Sequence, residues 1–325
     1  MLRGAAVAVA LSGSVAQAAE CRSDALGTHR TLTISAADGP VGRFNYKRTL
    51  DLDDKEIVLT FDDGPMARRT PAVLKALAEE CVKATFFVVG SMVAANPDIL
   101  QQTADAGHTI GTHTWNHAYL TRKRARGQRG PQIAGGLQAA NIVLGEERRA
   151  ALSPLFRFPG LGRNAELDRF VADNGLISMS VDIDSRDWTK QTPQQVLERT
   201  MARIEARGKG IVLMHDIQAR TVAMLPDLLR ALKDKGYRVV HVTTDRRETE
   251  VALARLEEPQ TKTFQVVMAR TRQKLIVLTA ENAARPEKPA PALAAQVAPV
   301  PAAMPALAEP VRLAARGFEE MGLRR

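Results

Sequence analysis

Seven short runs of β-favouring residues, separated by segments of helical periodicity, recur between Lys55 and Val242, and this alternation limits the possible folds more than any other feature. The runs span residues 57–61, 84–89, 109–112, 155–158, 177–181, 211–214 and 237–242. Most are continuously apolar, as in Ile57-Val58-Leu59 and Phe86-Phe87-Val88-Val89. That is the pattern of parallel strands covered on both faces. Amphipathic stretches at 70–80 and 222–234 supply the covering helices, and Asn96-Pro97 has the composition of a capped helix start. The alternation predicts an α/β fold, a distorted (β/α)7 barrel. A doubly wound open sheet has the same periodicity and stands as the alternative.

The ends of the chain differ from this body. Met1-Leu2-Arg3, an uncharged Ala/Val/Leu-rich stretch and Ala16-Gln17-Ala18 read as a signal peptide over residues 1–19. The expected organisation continues with an N-terminal extension at 20–54, the α/β body at 55–243 and a tail at 244–325. Within the tail, residues 283–311 are rich in Ala and Pro and predict a disordered segment, while 264–268 could form a strand. Export places the protein in a periplasm or outside the cell, where Cys21 and Cys81 either pair or stay free. No apolar run after the leader is long enough to predict a membrane span.

The reactive residues fall where such a fold puts its chemistry, just past the C-terminal ends of strands. The first strand ends in Asp62-Asp63-Gly64-Pro65, where one carboxylate can hold a metal and the other handle a proton. The third leads to His113 and His117, four apart, as two imidazoles on one helical turn would be. With Asp63 they make a His-His-carboxylate set suited to zinc or another divalent ion. Later strands end in Arg157-Phe158-Pro159-Gly160, in a run from Asp182 through Asp184 to Asp187-Trp188, and in Leu213-Met214-His215. His29, His108 and His241 lack such partners and are expected to be structural.

In order and in residue type, these five strand ends resemble the motifs of the polysaccharide deacetylases, the NodB-homology carbohydrate esterases. The resemblance covers about Lys55 to Val242. It implies metal-dependent hydrolysis of an N-acetyl group on an aminosugar. Asp63, His113 and His117 would hold the metal, most favourably zinc, and Asp62 would act as general base, oriented by Arg157. The Gly160 backbone N–H would help to hold the oxyanion, and His215, kept charged by Asp187, would protonate the departing amine. Trp188, Leu213 and Pro159 would border the substrate. The third motif departs from the family pattern, carrying Gly160 where a tyrosine is usual. Either Asp182 or Asp184 could be the upstream acid of the fourth.

Two alternatives share these residues. An O-acetyl esterase acting on a glycan such as xylan would use the same oxyanion chemistry. A silent glycan-binding protein would be expected to have lost a ligand, the base or the acid, and none is missing. The formal charge is +9, with Arg122, Lys123, Arg124, Arg126 and Arg129 clustered after the second motif. That cluster is either a solvated loop or an electropositive rim for an anionic glycan. No motif that reads nucleic acid occurs, so the expected partner is an N-acetylated glycan. With two Trp and three Tyr in the chain, a short or shallow glycan site is expected rather than a long stacking platform.

Overall fold

In the computed structural model, residues 21–257 and positions 273, 276, 277 and 280 are described. The signal-peptide segment, the Ala/Pro-rich stretch and the run 264–268 lie outside them. The first half of the chain contains β1 (Thr28–Ile34), β2 (Glu56–Asp62), α1 (Thr70–Glu79), β3 (Thr85–Val88), α2 (Gly90–Ala95), α3 (Pro97–Asp105) and β4 (Thr109–Thr112). The second contains α4 (Arg129–Leu144), β5 (Leu152–Phe156), α5 (Ala165–Asp173), β6 (Ile177–Ser178), β7 (Ile183–Asp184), α6 (Pro193–Arg207), β8 (Gly210–His215), α7 (Ala219–Asp234), β9 (Arg238–Thr244) and α8 (Arg246–Glu257).

All strands of the sheet pair in parallel, and β2 is their hub. It is flanked by β3 and β8, and β9 joins it at Glu56 and Ile57. The sheet runs from β3 through β4 and β5 to β6, and from β8 to β7. Since β6 and β7 are pieces of one stretch, residues 177–184, the sheet curls until its two ends meet in the same chain segment. That is the architecture of a (β/α)7 barrel.

Period-two alternation along β2 then does two jobs. Ile57, Leu59 and Phe61 face the helices in one apolar cluster, while Val58 lies in a second cluster with Phe87, Leu155 and Ile211. Thr60 and Asp62 share the Val58 face, so the strand delivers a carboxylate to the end of the inner face.

The sheet also draws in chain on both sides of residues 55–243. Strand β1 pairs with β9, Val41 bridges Met179, and α8 buries Ala252, Leu253 and Leu256 in the main core. These flanking elements pack as part of the same body. Strand β1 is not among the seven apolar runs because it is an edge strand: His29, Thr31 and Thr33 face solvent. The expected Asn96 cap is also corrected. Helix α3 starts at Pro97, but the Asn96 amide donates to the Pro65 and Met92 carbonyls rather than accepting from the helix N-terminus. A full capping box occurs instead at Thr192 and Gln195, which exchange side-chain and backbone bonds at the start of α6.

Cys21 and Cys81 are joined, with Cα atoms 6.0 Å apart across 60 residues of sequence, tying the segment before β1 to the turn after α1. Closing a loop of that length restricts the unfolded chain, and its loss costs about 4 kcal/mol by chain entropy. Urea unfolding with and without reductant should show that difference. Equal midpoints would mean that the N-terminal segment frays without consequence.

Candidate active site

The metal-capable residues converge from two strand ends. Asp63 follows β2 with φ of 81°, a left-handed backbone that turns its side chain away from that of Asp62. Beyond β4, residues 113–117 form a turn with Thr114 at φ 68° and His117 at φ 59°. The two histidines therefore meet through a left-handed turn and not the helical turn their spacing suggests. Small residues make this turn possible. Added side chains at Gly90 and Gly135 would fall 2.7 and 3.3 Å from Trp115, and one at Gly136 would fall 3.0 Å from the Thr114 backbone. Trp115 thus serves packing, half-buried against the core.

His113 Nε2 and His117 Nε2 lie 3.6 and 3.3 Å from Asp63 Oδ1. Ligands on a tetrahedral zinc at about 2.0 Å are separated by about 3.3 Å, so the set fits a small divalent ion. Three further observations agree. Asp63 Oδ1 is buried without a hydrogen-bond partner. The His113 Nδ1–H donates to the Arg157 carbonyl at 2.7 Å, which points the Nε2 lone pair at the site. Burial also pulls the His113 pKa down to about 3, keeping it neutral as a ligand must be. Among the described residues, these three are the group able to hold a metal.

Asp62 is held from behind. Arg157, fully buried, donates from Nη1 to Asp62 Oδ1 at 2.7 Å and to Thr60 Oγ1 at 2.8 Å. Its other nitrogens reach the Met179 and Ser180 carbonyls, and its plane lies 4.0 Å over Phe87. Burial raises the Asp62 pKa against the opposing charges of Arg157 and His215, making it a stronger base than a solvated carboxylate.

On the other side, His215 Nδ1 bonds Asp187 Oδ1 at 2.6 Å, and Asp187 Oδ2 accepts from the His215 N–H and Thr221. Burial disfavours the imidazolium, but the Asp187 hydrogen bond and charge, with Asp62 and Asp63 beyond, outweigh it and push the pKa up to about 9. Because this value lies above the unfolded 6.5, the stabilisation is complete below about pH 6.5 and is lost as pH rises through about 9. Asp187→Asn removes the main raising influence. The basic limb of the activity profile should move down by about 1–2 pH units, and a limb that stays in place would exclude His215 as the titrating acid.

These groups face a cavity of about 610 Å³ whose apolar walls include Phe44, Tyr119, Leu161, Trp188 and Leu213. Of the expected border residues, Trp188 and Leu213 are present, as is Gly160. Pro159 is corrected: it is buried behind the wall, which Gly160 and Leu161 form in its place. Gly160 has φ of 60°, and a Cβ there would sit 2.5 Å from Tyr119 Cε1. Tyr119 therefore fills the space that a side chain at 160 would need. Its ring meets His117 edge-on at 5.5 Å and carries the Arg122 guanidinium at 4.6 Å.

Arg129 leaves the basic cluster altogether, buried and paired with Glu166 at 2.7 Å. Asp182 turns out to be structural, bonded to Thr49 and to the Arg43 and Ile211 backbones, whereas Asp184 lines the cavity. His108 and His241 are buried, accepting from Ala84 N and bonding Thr109 respectively, while His29 is exposed beside Glu56.

Residues 49–178 match the polysaccharide deacetylase family profile. A peptidoglycan-N-acetylglucosamine deacetylase of Bacillus cereus is 32% identical over 200 residues, which cover 59% of this chain and 88% of that protein. The chain belongs to the polysaccharide deacetylase family. Among other polysaccharide deacetylases, the peptidoglycan-N-acetylglucosamine deacetylase PgdA of Listeria monocytogenes is 34% identical over 192 residues, 58% of this chain. The match spans 38% of the Listeria protein's length. In fold, the peptidoglycan deacetylase Bd3279 of Bdellovibrio bacteriovorus superposes with a TM-score of 0.59 at 36% identity, covering 66% of this chain and 59% of that one. No helix among the described residues is long and apolar enough to cross a membrane.

Proposed function

We propose that this polysaccharide deacetylase is an exported, metal-dependent hydrolase that removes N-acetyl groups from N-acetylglucosamine units of a glycan. The observation that carries the reading is one cavity in which an Arg157-held carboxylate and an Asp187-held imidazole face the Asp63–His113–His117 set from two sides. A divalent ion bound there, zinc by the donor set, supplies polarisation of the acetamide carbonyl and a more acidic water.

The chain's own residues do the rest. Asp62 takes the proton from water as its oxygen bonds to the carbonyl carbon. The backbone N–H of Gly160, a residue of the cavity lining, would steady the developing oxyanion. His215 then gives its proton to the nitrogen as the C–N bond breaks, leaving acetate and a free amine. Leu213 and Trp188 exclude water around the acetyl group. The need for a charged acid favours an amide over an ester, because an amine departs only when protonated. The names of the relatives point to peptidoglycan among possible glycans.

Acetate release from chitooligosaccharides and peptidoglycan tests the reading, with metal stripped and then zinc restored. Release that disappears and returns with the metal supports it. Release only from O-acetylated xylan would replace it with the esterase reading.

A further inference from the structure

A second cavity of about 500 Å³ adjoins the catalytic one, sharing Phe44, Asp184 and Arg186 with it and adding Arg43, Arg203 and Arg207. Its four arginines come from three separate stretches: the segment before β2, the loop after β7 and the last turns of α6. Two carboxylates, Asp182 and Asp184, also line it and offset half of that charge, leaving a formal surplus of two positive charges. Asp182 spends both oxygens on the Arg43 and Ile211 backbone N–H groups and the Thr49 hydroxyl. Asp184 accepts from the Arg186 backbone and lies 4.0 Å from the Arg186 guanidinium.

Arg203 donates to the Asp184 carbonyl oxygen and not to a carboxylate. Among the described residues, no carboxylate lies within 4.0 Å of the Arg43, Arg203 or Arg207 guanidinium, whereas Arg186 has Asp184 at that distance. Burial, followed by repulsion from Arg186, holds the Arg203 pKa below its ordinary value. A helix C-terminus favours a basic residue and accounts for Arg207 alone. It does not account for Arg43, Arg186 and Arg203 converging on the same space.

We propose that this cavity is a subsite for the carboxylate of an acidic sugar next to the N-acetylhexosamine whose acetamide is hydrolysed. The proposal rests on the deacetylase reading above and narrows its substrate to anionic glycans. Guanidinium groups suit a carboxylate because their paired N–H donors match its two oxygens. The shared walls at Phe44, Asp184 and Arg186 let one oligosaccharide occupy both cavities. The carboxylate can be carried as an ether-linked lactyl group, as on muramic acid, or as a uronic acid.

The test compares two acidic tetrasaccharides, one alternating N-acetylglucosamine with N-acetylmuramic acid and one alternating it with glucuronic acid, with the methyl ester of each as its neutral control. Wild type is expected to favour at least one carboxylate form over its ester by about tenfold in kcat/KM, mainly through KM, as a charge-assisted hydrogen bond would give. The preference should shrink between low and high salt. Arg43→Gln/Arg207→Gln, at two exposed residues whose side chains make no hydrogen bond in the structure, should reduce the ratio severalfold. Which acid shows the preference identifies the source of the carboxylate.

A ratio near one for both acids, or a ratio unchanged in the double variant, overturns the subsite. If no tetrasaccharide releases acetate, the deacetylase reading fails, and calorimetric titration of the same sugars decides the subsite separately. Tighter binding of acid than ester by wild type but not by the variant would sustain it, and equal binding would end it.

Discussion

Asp62→Asn is expected to lower acetate release from an N-acetylglucosamine oligomer by about 10³-fold, the middle of the range for removing a general base. The change is nearly isosteric, and Arg157 keeps its bonds to Thr60, Met179 and Ser180, so the scaffold beneath the site survives. The group able to hold a metal is Asp63, His113 and His117, so the content of bound divalent metal should stay at the wild-type level. That pairing of lost turnover with retained metal is the signature to look for. Metal lost together with activity would make Asp62 a ligand, and activity above about a tenth of wild type would remove it from proton transfer altogether.

Arg157→Met is expected to be the most damaging single change to stability, at about 3–5 kcal/mol, the cost of leaving a buried charge without its partner. Asp62 is 2% exposed and Arg157 wholly buried, so water cannot replace the lost guanidinium. The carboxyl would respond by taking up a proton, and the base would be lost with the fold energy. Removing the charge as well should recover much of the loss, because the two residues act as a pair. Asp62→Asn/Arg157→Met is therefore expected to unfold at higher urea than Arg157→Met alone, while remaining inactive. If the double variant is no more stable than the single one, the cost of the Arg157 substitution lies in packing over Phe87 and not in charge.

Most of the residues that gather at the cavity could be read from sequence because parallel barrel strands announce themselves. They are unbroken apolar runs, and a charged or imidazole side chain at the end of one is conspicuous. Asp62, Asp63, His113, Arg157 and His215 stand out in this way, His117 by its spacing of four from His113, and Asp187 only through the resemblance of its motif to the family's. What escaped has physical reasons. Strand β1 is half solvated and carries no continuous apolar run. Strand β7 is two residues long, too short for any periodicity. Phe44 reaches the cavity from a segment far from every motif, so only the folded chain reveals it. Tyr119 had a readable signal, lying two residues past His117 in a chain with three tyrosines, but its role depends on the empty side-chain position at Gly160. Asp182 and Asp184 could not be told apart, because residues two apart share a strand face and only their bonding partners separate them.

The chain's two tryptophans differ in a way that makes the protein its own reporter. Trp115 is half-buried against Gly90 and Gly135, while Trp188 stands 57% exposed on the lip of the catalytic cavity. Red-edge emission and collisional quenching by iodide, which the neighbouring Arg186 would concentrate, both belong to Trp188. A sugar ring settling on that indole would shift its emission to the blue and shield it from the quencher. Glycan occupancy, including that of inactive variants, can thus be followed by intrinsic fluorescence, with no label and no turnover.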